Sequence, residues 1–81
     1  MRLDKYLKVS RLIKRRTVAN DACDADRILV NGKAARASYA VKEGDIIEVA
    51  LGSNPLRVRV KSVSEFARKE EASSLYEILS D

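Results

Sequence analysis

The 81-residue chain has no histidine or tryptophan, one cysteine, one proline and three glycines. Each shortage excludes something. Without histidine, the commonest general base and metal ligand are missing. The lone Cys23 cannot close an internal disulfide, and no Cys/His set is available for a metal site. No P-loop, GxGxxG or GxSxG segment occurs, so phosphate-cradling and nucleophile-elbow chemistries have no residues to carry them. The acids Asp21, Asp24 and Asp26, and the pair Glu70 and Glu71, have the ordinary role of solubility and helix-end charge. The chain is therefore expected not to be an enzyme and to need no cofactor or metal.

No apolar run is long enough for a signal-peptide core or a membrane span, so a soluble, cytoplasmic protein with no membrane partner is expected. Aromatic residues make up only 5%, against 46% apolar overall, so the core must be mainly aliphatic. This length supports one small domain.

The charge is unevenly placed. Arg2, Lys5, Lys8, Arg11, Lys14, Arg15 and Arg16 fall in the first sixteen residues against the single acid Asp4, a net of +6, although the whole chain carries only +4. The rest of the chain is thus net acidic. Like charges so close repel, and a run this one-sided exceeds what solvation of a helix face requires. A local basic patch is the footprint of a polyanion partner, and guanidinium groups match phosphate oxygens bidentately. A membrane-surface helix is the weaker reading, because the segment's few apolar residues are needed by a small core.

The pattern of apolar residues places the patch on helices. Leu3, Tyr6 and Leu7 predict a helix over residues 3–9. Leu12-Ile13 reads as a buried connector. A second helix is expected from about Arg16-Thr17, with Thr17 as N-cap and Ala19, Ala22, Cys23 and Asp26 on one stripe. Cys23 there is a core thiol. Ile28-Leu29-Val30 then predicts a strand, Asn31-Gly32 a tight turn, and residues 33–37 a weak strand. Lys42–Asp45 is a second turn before a strand over 46–51. Gly52-Ser53-Asn54-Pro55 is a third, before the alternating strand 56–61. Ala72, Leu75, Tyr76 and Leu79 predict an amphipathic C-terminal helix over about 69–79. The expected fold is α+β, with two N-terminal helices on a small antiparallel sheet and a C-terminal helix.

Arg57, Arg59 and Lys61 share one face of their strand. They are either an ordinary exposed face or, with Lys8 and Lys33, a secondary RNA contact. Tyr6 at a helical apolar position reads as packing, whereas Tyr39 is open to either packing or stacking on a base. No helix has the length and polar face of a major-groove reader. Two short helices with an Arg-rich connector suit structured RNA, where backbone and shape dominate recognition.

The segments "RLDKYL", "KRRTVANDACDADRILVNGK" and "SYAVKEGDIIEV" resemble the RNA-binding domain of small-subunit ribosomal protein S-four, the αL motif. The landmarks are Arg2-Leu3-Asp4, Arg16, Ala19, Val30-Asn31-Gly32, Ser38-Tyr39 and Gly44-Asp45, within residues 2–49. The resemblance implies the αL fold over residues 1–63, with 64–81 a helical extension packed on the same domain. It implies that Arg2 and Arg16 contact RNA, followed by Lys5, Arg11, Lys14 and Arg15. Arg15 departs from the Ser or Thr common at that position, which bears on how the second helix is capped. The opening and the tail "RKEEASSLYEIL" look most like the branch that serves bacterial ribosome-associated quality control, related to the fifteen-kilodalton heat-shock proteins. Membership of that branch implies a monomer that binds the large ribosomal subunit through its rRNA and through peptidyl-tRNA. It also implies cooperation with an RqcH-type elongation factor in C-terminal alanine tailing. Alternatives are heat-shock recycling of blocked subunits, a detached targeting module for an RNA-modifying enzyme, or a general nucleic-acid chaperone.

Overall fold

The computed structural model describes residues 1–50, 52, 55–64, 72 and 74–79. Helix α1 spans Leu3–Val9 and α2 spans Arg16–Asp24. Strands follow as β1 (Ile28–Val30), β2 (Lys33–Ala34), β3 (Ile46–Val49), β4 (Leu56–Val60) and β5 (Tyr76–Leu79). They form one antiparallel sheet in the order β2-β1-β3-β4-β5. No helix among the described residues is long and apolar enough to cross a membrane.

Both helices lie on one face of the sheet. Leu3, Tyr6 and Leu7 of α1 and Ala19, Ala22 and Cys23 of α2 form a single core with Ile28, Val30, Ile47, Val49, Val58 and Val60. Burying each large aliphatic side chain contributes about 1.5–3 kcal/mol. Alanines and a cysteine on the inner stripe of α2 let it approach α1 closely. Ile13 closes the core from the connector, as its apolar character predicts, while Leu12 packs against it partly buried.

The chain turns at residues of positive φ. Arg11 (φ 64°) ends α1, and Asp26 (φ 58°) ends α2, where the amide of Arg27 donates to the carbonyl of Ala22 at 2.9 Å. This six-to-one bond is a Schellman closure, and it takes the exposed Asp26 off the inner stripe predicted for it. Asn31 (φ 53°) and Gly32 (φ 84°) make the two-residue turn between β1 and β2, the conformation that Asn-Gly favours. Strand β2 is two residues long, shorter than the predicted 33–37.

Two further expectations are corrected. Thr17 is not the N-cap of α2: Arg15 occupies that position with extended backbone (φ −123°, ψ 134°), and among the described residues no side chain caps the helix. The predicted C-terminal helix is replaced over residues 76–79 by strand β5, paired with β4 in the register Val60↔Tyr76, Val58↔Ile78. Ala72 and Leu75 are buried as predicted. However, β4 would otherwise present an unpaired row of amides and carbonyls, and Tyr76-Glu77-Ile78-Leu79 supplies a β-compatible partner for it. Leu51, Ser53 and Asn54 near the third turn, the acids Glu70 and Glu71, and the start of the predicted C-terminal helix lie outside the described residues.

Candidate nucleic-acid interface

The basic segment is organised around one buried acid. Asp4, in the first turn of α1, is only 2% exposed. Its carboxylate accepts hydrogen bonds from Arg2 Nε (3.1 Å) and Nη2 (3.5 Å), from Arg16 Nε (3.2 Å) and Nη2 (3.5 Å), from Asn20 Nδ2 (3.4 Å) and from the amide of Lys5 (2.8 Å). Arg16 and Asn20 are four residues apart on α2 and present one face to α1. A buried carboxylate is costly unless it is paired and hydrogen-bonded. Burial alone pushes the Asp4 carboxyl upward, but hydrogen bonds from Arg16, Arg2 and Asn20, with the charge of Arg16, outweigh it and hold the group below the usual range. Asp4 is therefore an anion at neutral pH.

The two arginines gain fixed positions from this arrangement without losing their outward surface. Their side chains remain 51% and 48% exposed. The cluster carries one negative and two positive charges, so a net positive charge faces solvent. Lys8, Arg11 and Lys14 line a single hollow at the end of α1 and the connector. None of these three, nor Arg15, makes an ion pair among the described residues. Lys5 is partly buried and is not without a partner. The uncapped start of α2, with no acid in its first turn, adds the positive end of the helix dipole beside Arg15 and Arg16.

The second basic array lies elsewhere. Arg57, Arg59 and Lys61 are exposed on the face of the sheet opposite the helices. There Arg57 approaches Glu48 at 3.9 Å and Arg59 approaches Glu77 at 3.5 Å. Its charge is thus partly balanced by cross-strand acids, whereas the helical face carries a large uncompensated excess. Lys33 lies apart from both, at the β1–β2 turn.

The tyrosines divide clearly. Tyr6 is fully buried and its hydroxyl donates to the carbonyl of Leu75 at 2.7 Å, so it packs, as predicted, and ties α1 to the residue before β5. Tyr39 is partly exposed, and its hydroxyl donates to Asp45 Oδ2 at 3.1 Å. Asp45, itself buried, also accepts from Asn31 Nδ2 (3.1 Å) and the amide of Lys42 (2.9 Å). Asn31 Oδ1 in turn accepts from the amide of Ile46 at 3.0 Å. This network locks the 35–45 loop to the β1–β2 turn. The same loop is held against the start of α1, with the Leu3 amide donating to Tyr39 O (2.8 Å) and the Val41 amide to Met1 O (2.9 Å).

The structure thus brings Arg2 and Arg16, the two ends of the basic run, together on Asp4 with Asn20, and the sequence reading gives neither Asp4 nor Asn20 this organising role. The signal was available: one acid inside a seven-cation run, and a polar side chain one turn beyond Arg16. Arg36, which is exposed beside Tyr39, gave no periodic signal at all.

Comparison with known proteins gives this arrangement a family. The model of the S4 domain matches residues 1–47. The chain belongs to the S4 domain family. It is 55% identical, over 96% of its length and 89% of the relative's, to the RQC P-site tRNA stabilizing factor of Halalkalibacterium halodurans. With the factor of the same name from Bacillus subtilis it shares 49% identity over 100% of its length and 94% of the relative's. Among solved structures, the trimeric Vibrio cholerae Heat Shock Protein 15 superposes with a TM-score of 0.91 at 29% identity, covering 98% of this chain and 81% of that one.

Proposed function

We propose that this S4-domain chain is a non-catalytic RNA-binding factor of ribosome-associated quality control in the cytoplasm. In this reading it binds large ribosomal subunits obstructed by peptidyl-tRNA, contacts large-subunit rRNA and P-site tRNA, and supports RqcH-directed alanine tailing of stalled chains. The observation that carries the reading is the pair Arg2 and Arg16, fixed on buried Asp4 yet half exposed, on a helical face where Lys8, Arg11, Lys14 and Arg15 make no ion pair among the described residues. That is a surface preorganised for phosphates. The names of the relatives matched over nearly the whole chain support the more specific role.

Bridging two RNAs needs only two contact surfaces. The helical face is the stronger, because Lys8, Arg11, Lys14 and Arg15 make no ion pair among the described residues and Arg2 and Arg16 share a single acid. The Arg57–Lys61 face, on the other side of the sheet, is suited to a weaker second contact, since Glu48 and Glu77 compete for its arginines.

If about six cations of the helical face each neutralise a phosphate, large-subunit binding falls on the order of a thousandfold between about 50 and 200 mM salt. Co-sedimentation across that range tests the electrostatic reading, and a flat response refutes it. Arg2→Ala and Arg16→Ala should each abolish co-sedimentation, and normal sedimentation of both would show that the patch is misassigned. Deletion of the gene should remove alanine tails from stalled chains. Intact tails would instead favour heat-shock recycling of blocked subunits, the second reading, which the close superposition on Heat Shock Protein 15 supports.

A further inference from the structure

The RNA-binding face leaves one feature unused. Between the β1–β2 turn and the 35–45 loop lies a groove of roughly 650 Å³, lined among others by Lys33, Ala34, Ala35, Arg36, Ser38 and Tyr39. That volume is within the usual range for a small-molecule subsite. Lys33 and Arg36 are both exposed, and neither makes an ion pair or side-chain hydrogen bond among the described residues; the hydroxyl of Ser38 is likewise free. Tyr39 is held differently. Its hydroxyl is fixed on Asp45, so the ring is a rigid wall rather than a mobile side chain. Rigid aromatic faces beside free cations are how proteins seat unpaired bases and the phosphates that accompany them.

We propose that this groove binds one unpaired nucleotide of the RNA, with the base against the ring of Tyr39 and its phosphate on Lys33 and Arg36. The inference rests on the RNA-binding reading above and adds a second, chemically different contact to it. Continuity supports it: the Arg2 backbone bridges to Ala40, and the amides of Leu3 and Asp4 donate to the carbonyls of Tyr39 and Ala37. An RNA strand gripped by Arg2 and Arg16 therefore runs beside the loop that carries Arg36 and Tyr39. The helical face takes phosphates of structured RNA, and the groove takes a base that is not paired. Such a contact discriminates a bulged or looped strand from a continuous duplex, which the charges of the helical face alone do not.

The test is a titration of the full-length protein, followed by amide NMR, with single-stranded hexa-adenylate and separately with inorganic phosphate. Hexa-adenylate should shift the amides of residues 33–39, and phosphate should shift Lys33 and Arg36 alone, more weakly. Tyr39→Ala should weaken hexa-adenylate binding at the groove on the order of tenfold, as loss of one stacked base does. Tyr39→Phe keeps the ring and should stay within about threefold of the native protein. The surface double variant Lys33→Ala/Arg36→Ala, which touches no core residue, should also lose the groove shifts. The proposal is overturned if hexa-adenylate shifts only the helices, if the double variant titrates like the native protein, or if phosphate alone reproduces the full pattern. Failure of the native protein to co-sediment with large subunits would instead overturn the functional reading, so the two fail separately.

Discussion

Asp4→Asn separates two explanations of the basic face that ordinary arginine substitutions confound. On charge alone, removing the only acid within the first sixteen residues should tighten binding to any polyanion. On geometry, it should weaken binding, because Asp4 is what fixes the two exposed guanidinium groups. The stability cost comes first. A hydrogen bond to a charged group is worth about 1.5–3 kcal/mol, but half-exposed arginines can turn to water, which lowers each contribution to about 1 kcal/mol. The new amide also turns an NH₂ group toward donors, so the total cost is about 2–3 kcal/mol. A domain of this size has about 4–12 kcal/mol of stability. The variant should therefore remain folded at 25 °C with a melting temperature lower by roughly 10–20 °C.

The binding side follows from the same contacts. Once released, two long side chains must be ordered by the RNA, at about 0.5–1.5 kcal/mol each. The added net charge returns about 1 kcal/mol at contact distances in water-like surroundings, and less at physiological salt. Affinity for large subunits at about 150 mM salt should therefore fall several-fold to about tenfold despite the more positive face. Thermal melting and co-sedimentation on one preparation read both quantities. Tighter or unchanged binding by a folded Asp4→Asn protein would falsify the claim that Asp4 preorganises the site.

Three further outcomes are expected. Tyr6→Phe removes the buried bond to the Leu75 carbonyl and should cost about 1–2 kcal/mol in chemical denaturation, with co-sedimentation unchanged because Tyr6 faces the core. Burial, with the nearby charges of Asp4 and Asp24, raises the Cys23 thiol to about 11, so its thiolate fraction at pH 8 is on the order of one in a thousand. A thiol reagent should accordingly label the folded protein at least about a hundredfold more slowly than the unfolded chain. Finally, because the folded-state value of Asp4 is depressed, its stabilisation is complete above the unfolded value near 4 and is lost as pH falls through the folded one. Acid denaturation of Asp4→Asn should lack that component below about pH 4, and superimposable profiles for the two proteins would contradict it.

The local signals in the sequence were sound where one interaction decides the structure. Helix α1 has the predicted limits, and Asn31-Gly32 makes the predicted turn, because side-chain period and positive-φ tolerance are properties of a few adjacent residues. The C-terminal segment differs because two templates fit it. Ala72, Leu75, Tyr76 and Leu79 recur at helical spacing, yet Tyr76–Leu79 also reads as a short strand, and only the open edge of β4, distant in sequence, selects between them. The candidate site divides in the same way. A cluster of cations is visible as composition, whereas the fixed geometry of Arg2 and Arg16 depends on α2 returning Arg16 and Asn20 to Asp4, a contact across helices that no local pattern encodes.

This dependence also explains why the landmark arginines stand at the two ends of the basic run rather than within it. A chain of 81 residues has a small core, and α2 meets α1 through small inner side chains, Ala19, Ala22 and Cys23, that contribute little burial energy. An ionic cluster at their N-terminal ends adds orientation that the alanines of α2 cannot, since Arg2 and Arg16 must converge for Asp4 to be satisfied. Correct docking of α1 on α2 and correct presentation of the arginines are then the same event. The consequence is a division of labour among the seven cations. In the proposed reading, substitution of Arg2 or Arg16 should lower both stability and RNA binding without unfolding the domain, whereas neutralising Lys8, Arg11, Lys14 and Arg15, which have no partner among the described residues, should affect binding alone. Loss of binding in that second set, at native melting temperature, is therefore the cleaner measure of what the face contributes to RNA recognition.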